Sequence, residues 1–195
     1  MAQSLTMKIM TQSSAVRHAA KQWDSATALL TTNPAPAGRE AVWAQALTFL
    51  DVGQRDGAHL VASVLVIDDG GLVLLARHHR YRQWGPLGGH MDPGDSSLIA
   101  AAARELLEEA GLAAHVHPAP MNVLLASYRC RSVVEQVLHL DVCFAAFIAE
   151  PAPALIANNE LTGLEWFDPR SLPAPLTPPT AELVGLASAA AALRR

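Results

Sequence analysis

Between residues 97 and 110 the apolar positions recur at helical spacing. Ile99, Ala102, Ala103, Leu106 and Ala110 fall on one side of a helical wheel, and Arg104, Glu105, Glu108 and Glu109 fall on the other. The pattern predicts an amphipathic helix with one face for packing and one for chemistry. Gly111 stands where a left-handed C′ residue is wanted, and Asp95, Ser96 and Ser97 are the N-cap candidates. Residues 13–31 and 39–50 are alanine-rich and helical in pattern, separated by the turn Asn33-Pro34-Ala35-Pro36-Ala37-Gly38. A further alanine-rich helix is expected at 181–193, after the proline-rich stretch 172–180.

Residues 59–67 and 72–77 are apolar, β-branched runs on either side of Asp68-Asp69-Gly70-Gly71, which reads as a hairpin. Strands are also expected at 122–130 and 137–148, with a short one at 163–167. Strands before and after one amphipathic helix, with a helix at the end, suit an α/β fold in which a mixed sheet is covered on both faces. There are no internal repeats.

The chain has 195 residues, 51% hydrophobic and 16% charged, enough for one well-filled core, so one catalytic domain with extensions is expected. No apolar run approaches the length of a membrane span, and residues 1–30 lack an uninterrupted apolar stretch of the signal-peptide kind. A cytoplasmic location with no membrane partner is the expectation. Cys130 and Cys143 both fall in expected strands and read as core thiols. A formal charge of −4 argues against a nucleic-acid polymer as partner, but is compatible with a small phosphorylated substrate.

The candidate chemistry sits on the central helix. Glu105, Glu108 and Glu109 lie within one turn, where like charges repel by a few tenths of a kcal/mol per pair, so the cluster implies a cation, Mg²⁺ or Mn²⁺. Carboxylate-held metal can neutralise a diphosphate, lower the pKa of a water and stabilise the leaving phosphate. Serine-type G-x-S-x-G is absent, which favours direct attack of water on phosphorus without a covalent intermediate. The segment Arg77-His78-His79-Arg80-Tyr81-Arg82 is the basic-aromatic cluster, and makes Arg77, Arg80 and Arg82 candidates for meeting substrate phosphate. His78-His79, His115-x-His117 and the cysteines make no recognised zinc spacing. Glu135, His139 and Asp141 lie in or beside the fourth strand; His139 and Asp141 share a face, which either lines a cleft or is simply exposed, and the exposed reading is favoured for all three.

The run Gly88-Gly89 through Arg104-Glu105-Leu106-Leu107-Glu108-Glu109-Ala110-Gly111-Leu112 resembles the signature of the Nudix hydrolases, G-x5-E-x7-R-E-U-x-E-E-x-G-U with U aliphatic. Two departures stand out. The first acidic position is Asp95 instead of Glu, and the spacer from Asp95 to Arg104 holds eight residues instead of seven. Asp95 is therefore read as an N-cap or loop-ordering residue. Trp84-Gly85-Pro86-Leu87 also stands where relatives carry proline directly before the glycine pair, while 160–167 (ELTGLEWF) resembles the family's late acidic-to-Trp strand.

The resemblance implies a Nudix-type α/β/α sandwich over residues 57–175, with 1–56 an N-terminal helical extension and 176–195 a C-terminal helix. It implies Glu105 and Glu109 as metal ligands, Glu108 as a third and the Gly89 carbonyl as a further oxygen. Arg104 would orient a glutamate through a charge-assisted pair. The general base is either Glu105 or, on a later loop, Glu160. The implied function is a metal-dependent pyrophosphohydrolase cleaving a nucleoside diphosphate linked to another moiety, X, whose identity lies outside the motif. The alternative is a non-catalytic module sensing a nucleotide or sugar phosphate. A homodimer is expected from the family's habits and the alanine-rich terminal helices. Residues 1–50 hold no acidic cluster and are expected to supply no catalytic group.

Overall fold

Strand β1 (His59–Ile67) is the organising element of the protein in a computed structural model that describes residues 19–52, 57–79, 82–129 and 136–194. It is buried from Leu60 onward, as a continuous apolar run predicts for a strand covered on both faces. Leu60, Ala62, Val64 and Val66 enter the main core; Leu65 and Ile67 enter a second core on the opposite face.

The remaining elements are placed by pairing with β1 or with its neighbours. Two helices, α1 (19–32) and α2 (Glu40–Asp51), precede it, and β2 (Val73–His78) follows as the other arm of the expected hairpin. Asp68 ties that turn, accepting from Leu72 N at 2.7 Å and from Ala152 N at 2.7 Å. β3 (Trp84–Gly85) pairs with β2, and β4 (Leu87–His90) runs antiparallel to β1 from Val61↔His90 to Val64↔Leu87. After α3 (Leu98–Ala110) come β5 (His115–Val116), β6 (Asn122–Arg129) and β7 (Gln136–Phe147). β7 runs parallel to β1 in the register His59↔His139 to Ile67↔Phe147, and β5 and β6 run antiparallel to β7. β8 (Leu161–Phe167) closes on β2, and α4 (Thr180–Ala192) ends the chain. The result is a mixed eight-stranded sheet with helices on both faces, the α/β architecture expected.

Three short strands were not foreseen. β3, β4 and β5 have two to four residues each, and two of them contain glycine, so their strand character comes from partners rather than propensity. Among the N-cap candidates of α3 the fold selects Ser97, whose Oγ accepts from Ala100 N at 3.1 Å. Gly111 ends the helix with φ 68° and donates to Leu107 O at 3.0 Å. Cys143 is buried, as expected of a core thiol, whereas Cys130 lies outside the described residues.

The N-terminal helices share the main core. Trp23, Leu30, Trp43, Phe49 and Leu50 are all buried there, with Trp43 Nε1 donating to Leu30 O at 3.0 Å. Gln22 of α1 donates to Asp92 O at 2.6 Å and to Asp95 O at 3.2 Å, which ties this extension to the loop before α3. Among the described residues no helix is long and apolar enough to cross a membrane.

Candidate active site

Two consecutive glycines bring the backbone of β4 against the acidic face of α3. Gly88 has φ 141°, and a Cβ there would sit 2.3 Å from Ala62 O, so only glycine lets β4 pair this closely with β1. A Cβ on Gly89 would sit 2.5 Å from Glu105 Oε1. The missing side chains leave room for carboxylates: Glu109 Oε2 accepts Gly88 N–H at 2.9 Å, and Glu105 packs directly over Gly89.

Arg104 gathers the acidic groups. Its Nε and Nη2 donate to Asp95 at 3.0 to 3.3 Å, its Nη1 donates to Glu105 Oε1 at 2.8 Å and Glu108 Oε2 at 3.1 Å, and Nη2 also donates to His90 O at 2.9 Å. One guanidinium thus ties the loop, the glycine strand and two helix glutamates together. Asp95 accepts in addition from Asp92 N at 2.8 Å. Of its two expected roles the structure keeps loop ordering, because the N-cap is Ser97. The shorter acid reaches the guanidinium across the eight-residue spacer.

Burial sets the electrostatics. Glu109 is 3% exposed, and desolvation pushes its carboxyl up to about 8 despite the Gly88 N–H. Neighbouring Glu105, Glu160 and Glu108 add to the rise. Glu105 is raised as well, by desolvation first, with Arg104 opposing. His78 Nδ1 stands 4.0 Å from Glu109 Oε1, but burial lowers the imidazole below its usual range. Arg104, held by Asp95 above all, is more firmly protonated than a free arginine.

These groups open onto a cavity of about 760 Å³. Glu105, Glu108, Glu109, Arg104 and Gly89 line one side, and exposed Glu160 sits on the wall from the loop before β8. The floor is the sheet face carrying Val61, Ser63, Asp141 and Cys143, and Leu183 of α4 contributes opposite. Asp141 Oδ2 accepts from Ser63 Oγ at 2.8 Å, while Oδ1 is shut off from solvent with no partner. Desolvation raises this carboxyl to about 6. Of the two readings of the His139–Asp141 face, the favoured exposed one is overturned: Asp141 lines the cavity, and His139 is 0% exposed, with Tyr128 of β6 stacked on its ring.

The basic cluster is placed differently from expectation. Arg77 and Arg82 do not line the cavity; His78 and Gln83 do. The β2–β8 register shifts between Arg77 and His78, so regular alternation breaks there and His78, just past the irregularity, is the one that reaches the cavity. Arg77 Nε turns to Arg82 O at 3.3 Å. Arg80, Tyr81 and Glu135 lie outside the described residues.

Glu105, Glu108, Glu109 and the Gly89 carbonyl form an all-oxygen donor set, and two of the carboxylates are desolvated and crowded by like charge. By chemistry that set fits a hard divalent cation. In this structure Glu105 and Glu108 are drawn onto Arg104, and Glu109 onto Gly88. Among the described residues the group of three metal-ligating side chains that does converge is another one, His59, His90 and His139. Sequence reasoning compared histidines close in the chain and missed this group, which the register of β1 against β4 and β7 assembles.

Comparison with known proteins follows the same lines. The family model for the NUDIX domain matches residues 57–185. A candidate 8-oxo-dGTP diphosphatase of Bacillus subtilis (strain 168) is 31% identical over 117 residues, 60% of this chain and 71% of that protein. The fold is shared with the NUDIX domain of Shewanella oneidensis NrtR in complex with ADP ribose, at TM-score 0.54 and 19% identity over 68% of this chain and 88% of that one. It is shared also with a NUDIX-family hydrolase from Clostridium perfringens, at TM-score 0.52 and 20% identity over 70% and 98%. A glycine turn feeding an arginine-gathered glutamate helix, and a family-model match over residues 57–185 that takes in both, have one reading: the chain belongs to the NUDIX domain family and is a hydrolase of phosphoanhydride bonds.

Proposed function

We propose that the protein is a Mg²⁺- or Mn²⁺-dependent pyrophosphohydrolase acting on a nucleoside diphosphate linked to a further moiety, X. The observation that carries the reading is Glu109, a buried carboxylate whose polar contacts among the described residues are one backbone N–H and a histidine at 4.0 Å. Burying a carboxylate so poorly compensated is costly unless a cation completes the site. Glu105, Glu108 and Glu109 with the Gly89 carbonyl would hold that cation, which when bound supplies charge neutralisation for the diphosphate and a more acidic water.

The chain's own groups do the rest. Arg104 fixes Glu105 and Glu108 by two hydrogen bonds and is itself fixed by Asp95, so the carboxylates enter the cavity in set orientations. The proton of the attacking water goes to Glu105 or to Glu160, both of which line the cavity. The cavity volume suits a nucleotide-sized ligand. A nucleoside moiety is also in keeping with the names of two similar proteins, an 8-oxo-dGTP diphosphatase candidate and an ADP-ribose complex.

The test is a panel of nucleoside triphosphates, nucleotide sugars and dinucleoside polyphosphates, assayed for released phosphate or mononucleotide with Mg²⁺ and with EDTA in its place. Turnover is expected with metal only. In ¹⁸O-labelled water a single turnover should label one of the two phosphate-bearing products. EDTA-insensitive hydrolysis, or a trapped nucleotidyl-enzyme, would refute the proposal; Glu160→Gln against Glu105→Gln separates the two candidate bases.

A further inference from the structure

Three histidines far apart in the chain meet on one face of three adjacent strands. β1 lies between β4 and β7; His59 is paired across to His139, and His90 pairs with Val61, two residues further along β1 on the same face as His59. One ring nitrogen from each lies within 4.8 Å of the other two. His90 Nε2 and His139 Nε2 are 3.2 Å apart. Two imidazole nitrogens bound tetrahedrally at about 2.0–2.1 Å from one ion stand about 3.3 Å apart, so this pair already has the spacing of two ligands of a common metal.

The surroundings prepare the rings for that role. His139 Nδ1 faces Val137 O at 2.9 Å, which places the ring proton on Nδ1 and leaves the Nε2 lone pair directed at His90. Tyr128 stacks on His139 with centroids 3.7 Å apart and planes 7° apart, which holds the ring in position. His139 is fully buried, and His59 is half-buried with its ring edge-on to both other histidines. His90 and Tyr128 line the cavity, so a cation here would have an open side facing the substrate space.

We propose that His59, His90 and His139 form a second metal site, selective for a borderline transition-metal dication of the Zn²⁺, Co²⁺ or Ni²⁺ class, with its remaining coordination positions open to the cavity. Three neutral imidazoles favour such ions over Mg²⁺, which takes oxygen donors. The site is thus chemically orthogonal to the glutamate cluster of α3. It is joined to that cluster through one residue, since His90 O accepts from the Arg104 guanidinium that also holds Glu105 and Glu108.

Titrating the metal-stripped full-length protein with Co²⁺ in excess Mg²⁺ tests this. One equivalent per chain should bind, with the intense visible absorption of a low-coordinate cobalt site, and Zn²⁺ should displace it. His59→Gln and His90→Gln should each weaken Co²⁺ binding at least about tenfold, with unchanged circular dichroism and melting curves to show that the variants fold. Glu105→Gln and Glu109→Gln should leave the cobalt spectrum as in the wild type. Absence of the low-coordinate spectrum, its persistence in both histidine variants, or its loss in the glutamate variants would each overturn the site. Because the readout is metal binding in excess Mg²⁺, failure here is distinguishable from failure of the hydrolase reading.

Discussion

Asp95 accepts from both Nε and Nη2 of Arg104, at 3.0 to 3.3 Å, with the carboxylate side chain 7% exposed. This is a fork-to-carboxylate pair at the base of the acidic face of α3, made by a residue one carbon shorter than the glutamate of the Nudix signature. Removing the acid leaves Arg104 with two glutamates and a carbonyl as its polar partners. Asp95→Ala should lose about 1–3 kcal/mol of stability. It should also reduce kcat more than tenfold, through misplacement of Glu105, yet less than Glu109→Gln does. Thermal melts with steady-state kinetics check it; an unchanged melting temperature would show that the pair is not what orders the loop.

Glu109→Gln separates stability from function. The carboxyl is pushed up to about 8 by burial, so its ionised form is disfavoured in the folded protein at neutral pH. A glutamine retains an oxygen for Gly88 N–H and removes the charge. Without metal the variant should melt higher than the wild type at pH 7, while kcat falls at least about a hundredfold because a proposed metal ligand is lost. A variant that melts lower, or turns over normally, would contradict the assignment.

What could be read from the sequence depended on how local the cause was. Helix α3 was legible because its face pattern, Ser97 and Gly111 all lie within fifteen residues, and the β1–β2 hairpin because Asp68 to Gly71 make their own turn. Glu105, Glu108, Glu109 and Arg104 followed from the same helix. β4 was not legible, because Gly88 and Gly89 have no strand propensity and become a strand only against β1. The histidine group was invisible for the same reason, and Asp141 could be placed on a face but not in a cavity: the parallel register of β1 with β7 joins residues about eighty positions apart. Arg77 was assigned to the site because it is close in sequence, but the irregularity in β2 between Arg77 and His78 leaves His78 lining the cavity in its stead.

The two glycines should fail differently. Gly88→Ala forces a side chain onto φ 141° and against Ala62 O at 2.3 Å, both of them backbone constraints, so the protein should be poorly folded. Gly89→Ala meets the tip of the Glu105 side chain, which can swing. It should fold with a melting temperature within a few degrees of wild type yet lose most activity, since Glu105 leaves its place on Arg104. Equal effects of the two substitutions on folding would show that the glycine strand is less constrained than its geometry implies.

Asp141 gives the protein a measurable pH dependence. Its folded-state carboxyl lies at about 6, above the unfolded value of 3.8, because burial disfavours the ion. A raised carboxyl contributes stability that is present below the unfolded pKa and lost as pH rises through the folded one. Asp141→Asn, which keeps an acceptor for Ser63, should therefore match the wild type near pH 4 and become more stable than it above pH 6, by up to about 3 kcal/mol. Melting temperatures of the pair from pH 4 to 8 check this, other titrating groups being common to both proteins. A difference independent of pH, or one favouring the wild type at pH 8, would show that Asp141 is not a desolvated acid.

The N-terminal helices offer the last test. Their sequence carries no acidic cluster and is expected to supply no catalytic group, yet Trp23, Leu30, Trp43, Phe49 and Leu50 are buried in the main core. Each such side chain contributes about 1.5–3 kcal/mol by its burial, so the five together rival the roughly 5–15 kcal/mol net stability of an ordinary domain. A chain beginning at Gly57 should consequently be aggregated or strongly destabilised, and its inactivity should follow from unfolding. Gln22→Ala tests the other connection. It removes two hydrogen bonds to the loop of Asp92 and Asp95 and leaves the core intact, so it should lower kcat a few-fold with little change in melting temperature. A truncated protein that stays soluble, melts within a few degrees of wild type and hydrolyses at the full rate would show that α1 and α2 serve neither the core nor the site.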